Sequence, residues 1–564
     1  MTYPYRFRVF AAFAMLVFFT SCSKSNEPGK MVPKEAGFIM HVNSKSLYGK
    51  INMAELKESD WYKKMMEDLS HDSIRQELAK KFVENARTSG LDTLSDLILF
   101  ADNSRSNETY VVMQWGLKDE KAFAHFFKNV YPEGNINKDG NLQTMTVKDK
   151  AVITWNNEKV MVGFETPPST SFSPMGSSGG YNADDSAAKP NHIPQIIAYC
   201  KNLFSLKEEN SMAKDEKFTD LMNTDGDIHA WVNLEKLMSG IPQMGMMSMM
   251  KLDKFFDGNI NAYTLNFDNG RVTLKSKGYT GKELNDIFKK YNDGGINTAM
   301  LKNIPSQDLA GVLAMHFNPE GLKALVKMSG MDGLADLFLS RHGITIDDFI
   351  KANKGDLLIA VADLTVKKDS LTIPQDNGKS SPYITDRPDA KFIFAASIND
   401  REAFNKLVNF AKKQSGDLGM DKTITYNTGK DYFVIGNSSD YISRYLAGGK
   451  TDLPYFNKIS NNPIGLYIDL QKIIKAFGNF GSKDSISKKI SEESLKIWEN
   501  ITLSGGNYSG GGINHLLEIN MVDKNTNSLK QLIKYLVTIA AMQKEKESAL
   551  LSDMDKIDQG ISFP

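Results

Sequence analysis

Eight histidines are the first residues to consider for chemistry: His41, His71, His125, His192, His229, His316, His342 and His515. None falls in an HExxH or HxH pattern, so the spacing offers no local zinc site. His41 and His316 share one feature: each stands two residues ahead of an asparagine, Asn43 or Asn318, at the end of an apolar run. Two further segments of the same type put Trp231 and Tyr467 at that place. A position that takes His, Trp and Tyr alike reads as a packing slot for a flat ring, ahead of a catalytic or metal site. Six methionines fall between Met238 and Met250, and thioethers are soft ligands suited to Cu(I). Met244, Met246, Met247, Met249 and Met250 are therefore weak metal candidates. The other readings of this segment are a core helix and an adaptable apolar contact surface. The run Ser504-Gly-Gly-Asn-Tyr-Ser-Gly-Gly-Gly512 lacks the Gly-Lys-Ser/Thr and following helix of a phosphate loop, and it predicts a bulged hairpin. No nucleophile elbow is read, since the Gly-x-Ser-x-Gly match at Gly176–Gly180 falls in the polar stretch 167–190 and not between a strand and a helix, and Asp347-Asp348 suit a helix start. The chain thus reads as a non-enzyme without a cofactor. A hydrolase assembled from distant carboxylates and soft-metal handling stand as the alternatives.

Two cysteines occur, so no disulfide framework holds the fold. Cys22 closes Phe19-Thr20-Ser21-Cys22, behind an apolar run from Val9 to Phe19 and the basic residues Arg6 and Arg8. Eleven apolar residues reach only about 16 Å as a helix, roughly half a hydrocarbon core, so the run reads as a signal peptide. Small residues directly before the cysteine resemble a bacterial lipobox, which implies cleavage after residue 21 and a lipid on Cys22. The polar stretch Ser23–Lys30 then reads as a tether. Cys200 lies in a helical apolar pattern and is expected to be a buried, inert thiol. Lys+Arg and Asp+Glu both number 68, which argues against nucleic acid as a partner. The expected partners are a membrane, through the N-terminal lipid, and an unidentified envelope protein or glycan. Asp-Ser/Thr-apolar triplets resemble bacterial O-glycosylation acceptors, with Ser186 and Ser370 favoured because both fall in polar stretches.

The elements that must position these groups repeat along the chain. Four segments run from an apolar strand into Asn43, Asn233, Asn318 or Asp469, with another apolar residue four further on. An Asx side chain there accepts from the orphan N–H groups of a following helix, and Pro319 suits its first turn. Tyr110–Phe123 and Lys391–Phe404 form a second matching pair, each followed by a predicted hairpin. The fold class expected is α+β: two divergent copies of a unit with mainly antiparallel sheet and helices packed on it. The boundaries are a signal at 1–21, a tether at 22–31, halves at 32–295 and 296–545, and a tail at 546–564. Polar loops are expected at 167–190 and 366–390 from their composition. With 41% hydrophobic and 24% charged residues, the remainder is ordinary globular chain.

The lipobox, the early segment Val32-Pro33-Lys-Glu-Ala-Gly37-Phe-Ile-Met-His-Val-Asn43 and the matching halves together resemble a family of uncharacterised Bacteroidetes lipoproteins built around a domain of unknown function. The resemblance covers nearly the whole chain. It implies a cell-envelope location, lipid-anchored to the outer membrane, and no known activity. An acidic cluster after the cysteine would resemble a surface-export signal; here only Glu27 is acidic, so neither membrane face is favoured.

Overall fold

A computed structural model describes residues 28–560, apart from 52–56, 59–61, 64–79, 82–87, 106–107, 149, 167–191, 239–251, 293, 375–379, 416–423 and 479–484. The expected signal peptide, Cys22 and the expected loop at 167–190 therefore lie outside the described residues. The chain divides into two compact units. Unit 1 comprises residues 1–245 and 256–267, and unit 2 comprises 246–255 and 268–564. The division falls at the Asp268-Asn269-Gly270 turn, where Gly270 has φ +67°. It lies ahead of the repeat boundary read at 295/296.

Unit 1 holds β1 (Ala36–Val42), α1 (Ser44–Lys50), β2 (Leu91–Asp92), β3 (Leu97–Arg105), β4 (Glu108–Leu117) and α2 (Glu120–Val130). It continues with β5 (Ile136–Asp139), β6 (Leu142–Val147), β7 (Ala151–Trp155), β8 (Lys159–Thr166), α3 (Ile193–Phe204), β9 (Ile228–Asn233), α4 (Leu234–Met238) and β10 (Ile260–Asp268). Antiparallel pairing orders the strands β5-β6-β7-β8-β4-β3-β1-β9-β10. β1 and β7 are buried along their whole length, as expected of strands covered on both faces, whereas β9 alternates. Trp155, Trp231, Phe100, Phe123 and Phe218 fill the core. Phe218 and Phe123 meet Trp231 and Trp155 edge-on. The helix α3 lies so close to β8 that a side chain at Gly163 would meet Cys200 Sγ at 2.6 Å.

Unit 2 holds β11 (Arg271–Tyr279), β12 (Leu309–His316), α5 (Pro319–Met328), α6 (Asp332–Ser340), α7 (Ile346–Ala352), β13 (Asn353–Pro374), β14 (Ser380–Ile398) and α8 (Arg401–Ser415). After these come β15 (Thr425–Thr428), β16 (Tyr432–Gly436), β17 (Ile464–Asp469), α9 (Leu470–Phe477), β18 (Trp498–Ser509), β19 (Gly512–Met521) and α10 (Ser528–Gly560). Its strand order is β15-β16-β14-β13-β12-β17-β18-β19-β11, again all antiparallel. The two orders coincide over seven strands, from β7 to β10 in one unit and from β15 to β18 in the other. Leu301, Ile304, Val312, Ala360, Ile393, Val434, Tyr445 and Phe456 belong to the core of unit 2. The expected α+β class with an antiparallel sheet is what the strands and helices form.

All four strand-to-helix turns have their Asx cap. Asn43 accepts from Ser46 N–H, Asn233 from Lys236, Asn318 from Glu320 and Gly321, and Asp469 from Lys472. The second motif pair does the same, with Asp119 accepting from Ala122 and Asp400 from Ala403. Each such cap contributes about 1 kcal/mol. Asp348 reciprocates Thr345 in a capping box at the start of α7.

Two expectations need correction. Residues 366–390 are a ribbon rather than a polar loop: β13 and β14 stay paired from Thr365↔Asp389 out to Pro374↔Ser380. Average composition hid the pattern, because Val366, Leu371, Thr372 and Ile373 face a partner strand with Tyr383, Ile384 and Thr385, all but Leu371 strand formers. The tail at 546–564 is not separate either, since α10 runs on to Gly560. The glycine run at 504–512 does form a hairpin, with the expected bulge between Gly505 and Asn507.

Candidate functional sites

The strand β1 carries His41 one residue from its C-terminal end, directly opposite His229 of β9 in the pairing register. Register alone therefore brings two imidazoles together. Their Nδ1 atoms are 3.0 Å apart and the rings stack with centroids at 5.2 Å. His229 Nε2 lies 2.9 Å from the Thr224 carbonyl oxygen. A carbonyl only accepts, so His229 carries its proton on Nε2 and its Nδ1 must accept. His41 is then the Nδ1–H donor. His41 Nε2 lies 3.2 Å from Asp96 Oδ2, within ion-pair reach yet without a well-formed hydrogen bond.

Asp96 is held by a tight turn. The Ser95 N–H donates to the Asp92 carbonyl, Ser95 Oγ donates to the same carbonyl, and the Gly116 N–H donates to Ser95 Oγ at 2.8 Å. A side chain at Gly116 would collide with Ser95 Oγ. Both histidines are buried. Burial first, and the neighbouring His41 second, push the His229 pKa below its ordinary 6.5, outweighing the Thr224 carbonyl, Asp96 and Asp225, which pull it up. Lys159 lies in the same neighbourhood. Burial lowers its pKa against the upward pull of Asp96, Asp92 and Glu158.

Unit 2 builds a similar pair at the matching place. His316 ends β12 and faces Asp356 of β13 across the ladder, with Nδ1 2.8 Å from Oδ1. The Asp356 N–H donates to Ser397 Oγ at 3.0 Å. Gly355, at φ +92°, lies against the Phe317 carbonyl, where a side chain would collide, and its own carbonyl accepts from the Phe317 N–H. The ring position read as a packing slot therefore holds a His–carboxylate pair in each unit, while Trp231 and Tyr467 occupy it as buried rings. Asp96 and Asp356 went unnoticed in the sequence. Their signal was an Asp-Leu pair heading an apolar run, as Ser95-Asp96-Leu97 and Gly355-Asp356-Leu357.

Chemically, a His–Asp pair orients an imidazole and holds a proton. In unit 1 the second imidazole occupies the nitrogen that a nucleophile would need. Among the described residues, no group of three or more His, Cys, Asp or Glu is placed to hold a metal ion.

A second polar centre ties α1 to the sheet. The buried Asp227 carboxylate accepts from Lys50 Nζ at 2.6 and 2.7 Å, from Ser46 Oγ at 2.6 Å and from the Phe267 N–H at 2.6 Å. Cys200 is buried, and burial pushes its thiol up to about 12, which keeps it inert as expected.

The remaining sequence candidates fall as follows. Cys22, Ser186 and the candidates Met244, Met246, Met247, Met249 and Met250 lie outside the described residues. Ser370 lies within β13, opposite Ile384. One surface feature had no place in the sequence reading. The short helix α6 exposes Leu334, Leu337 and Phe338, with Met331 just ahead of it, and buries no residue of its own.

No curated protein matches this chain. Among solved structures it is similar to two crystal forms of TP0453. Form I gives 11% identity and a TM-score of 0.24, over 46% of this chain and 81% of that one. Form IV gives 9% and 0.23, over 45% and 81%. Residues 29–447 match a family described as a domain of unknown function, covering the whole run from the first strand motif through the β13–β14 ribbon to the helix after β16. The chain belongs to that family, DUF4836.

Proposed function

We propose that this chain is a lipid-anchored, non-catalytic protein of the cell envelope that binds or organises a partner there. The observation that carries this reading is the apolar face of α6, since monomeric proteins seldom leave adjacent large apolar side chains in water without a binding role. The lipobox at Phe19–Cys22 supports outer-membrane anchoring. Among the described residues, no helix is long and apolar enough to cross a membrane. The coinciding strand orders and the paired His–carboxylate sites support descent of the two units from one duplicated unit.

The test is crosslinking of tagged protein in its native membranes, followed by purification, for wild type and Cys22→Ala. The reading expects membrane-bound wild type, soluble Cys22→Ala, and a crosslinked partner that depends on the anchor. Wild type that fractionates as a soluble protein would refute the anchor. Turnover of a glycan, peptide or ester that a single substitution abolishes would refute the non-catalytic part.

A further inference from the structure

We propose that the exposed face of α6 docks into the interfacial zone of a lipid bilayer, as a second contact beside the anchor. The inference rests on the envelope reading above and names what α6 would bind. In Met331-Asp-Gly-Leu-Ala-Asp-Leu-Phe-Leu-Ser-Arg341, a helical period puts Met331, Leu334, Leu337 and Phe338 on one side. Asp332, Asp336 and Ser340 fall on the other. The structure turns the apolar side outward: Leu334 is 62% exposed, Phe338 56%, Leu337 55% and Met331 40%. Leu334, Leu337 and Phe338 are the most exposed large hydrophobic residues described. The Phe338 ring is braced at its edges by Phe410 and His342, which fixes it while leaving more than half of it in water. Gly330 and Gly343, at φ +69° and +71°, turn the chain sharply on either side, so α6 sits as a discrete helical step on the surface.

Size and charge decide the occupant. A nine-residue helix is about 13 Å long. It presents four large side chains, far short of the roughly 800 Å² per partner that a stable dimer or protein complex buries. A weak apolar contact of this size becomes effective when another link already holds the protein at the same surface, because the second contact is then intramolecular. A lipid on Cys22 supplies such a link to a bilayer. Interfacial helices bury their apolar face only about 5–10 Å deep, which leucine and phenylalanine side chains reach. Asp332 and Asp336 outnumber Arg341 across Met331–Arg341, so anionic headgroups add no attraction. Docking is apolar, and it is insensitive to lipid charge and to salt.

The experiment uses the chain from residue 22 with Cys22→Ser, which removes the lipid and leaves only the proposed contact. Flotation with phosphatidylcholine vesicles, and with vesicles containing added phosphatidylglycerol, is compared with the same chain carrying Leu334→Gln, Leu337→Gln and Phe338→Gln. All three positions are more than half exposed, and an unchanged melting temperature verifies the fold. Expected is flotation with both vesicle types, indifferent to salt, and reduced at least tenfold in the triple variant. A separate Leu337→Trp chain should show a blue shift in emission on adding vesicles. Equal flotation of parent and triple variant overturns the proposal. So does a concentration-dependent dimer that the triple variant abolishes, which would make a second copy the occupant. Failure of the anchor reading is read separately, by mass spectrometry of the N-terminal peptide from native membranes.

Discussion

Acidification should weaken unit 1 through one residue, His229. In the folded chain its pKa lies below 6.5, first because the ring is buried and then because His41 adjoins it. The unfolded chain has no such constraint and takes up a proton near the ordinary value of about 6.5. As pH falls through that value, the unfolded state binds a proton that the folded state refuses. Stability therefore drops as pH falls below about 6.5, and the loss levels off once the depressed folded pKa is passed. The slope is at most about 1.4 kcal/mol per pH unit for one proton. Between about pH 8 and pH 5.5 the loss amounts to roughly 1.4 kcal/mol, provided the folded ring stays neutral. For a unit of this size that is a shift of about 3–6 °C in melting temperature. His229→Gln removes the titrating ring. It lowers stability at every pH, by about 1–3 kcal/mol for the His41 donor it leaves poorly paired, but it should abolish the extra slope. The assay is urea unfolding followed by tryptophan emission, which reports on unit 1 through the buried Trp115, Trp155 and Trp231. His515, whose pKa burial also lowers, contributes equally to both chains and cancels in the difference. Parallel pH profiles for wild type and His229→Gln would refute the argument.

Three further outcomes follow from buried contacts. Lys50→Met leaves the buried Asp227 carboxylate without its counter-charge, held only by Ser46 Oγ and the Phe267 N–H, and should cost about 3–5 kcal/mol in urea unfolding of unit 1, whereas an effect under about 1 kcal/mol would show the pair to be superficial. Asn318→Ala removes the acceptor for the Glu320 and Gly321 N–H groups and should cost about 1 kcal/mol, with Asn318→Asp restoring most of it. Cys200, pushed up to about 12 and packed on Gly163, should resist a thiol reagent at neutral pH until urea unfolds the chain. Rapid labelling of the native protein would contradict its burial.

The caps were legible in the sequence because they are local. Asn43, Asn233, Asn318 and Asp469 each act within three residues of themselves, so residue type and spacing suffice. Strand ribbons are less so: at 366–390, the lysines, aspartates and serines hide the strand formers among them, and the pairing shows only once the two strands lie side by side. The apolar spacing of α6 is legible, yet it is the spacing of a core-facing helix, and only the surrounding fold shows that this face meets solvent.

The histidine pair sits at the far limit of legibility. Its members are 188 residues apart, and nothing near either one announces the other. They meet because β1 and β9 pair in one register, and a slip of one residue would turn His229 to the opposite face. That register is fixed elsewhere. Trp231 on the same strand must reach the core, and Asp227 just before it must reach Lys50 on the helix that Asn43 caps. Local signals thus set the ends of the strands, core and ionic contacts set their alignment, and the paired imidazoles are the consequence. Weakening the Lys50–Asp227 tie should therefore reduce the pH dependence traced to His229 together with the stability. A chain that lost the stability but kept the full pH slope would show that the core alone holds the register.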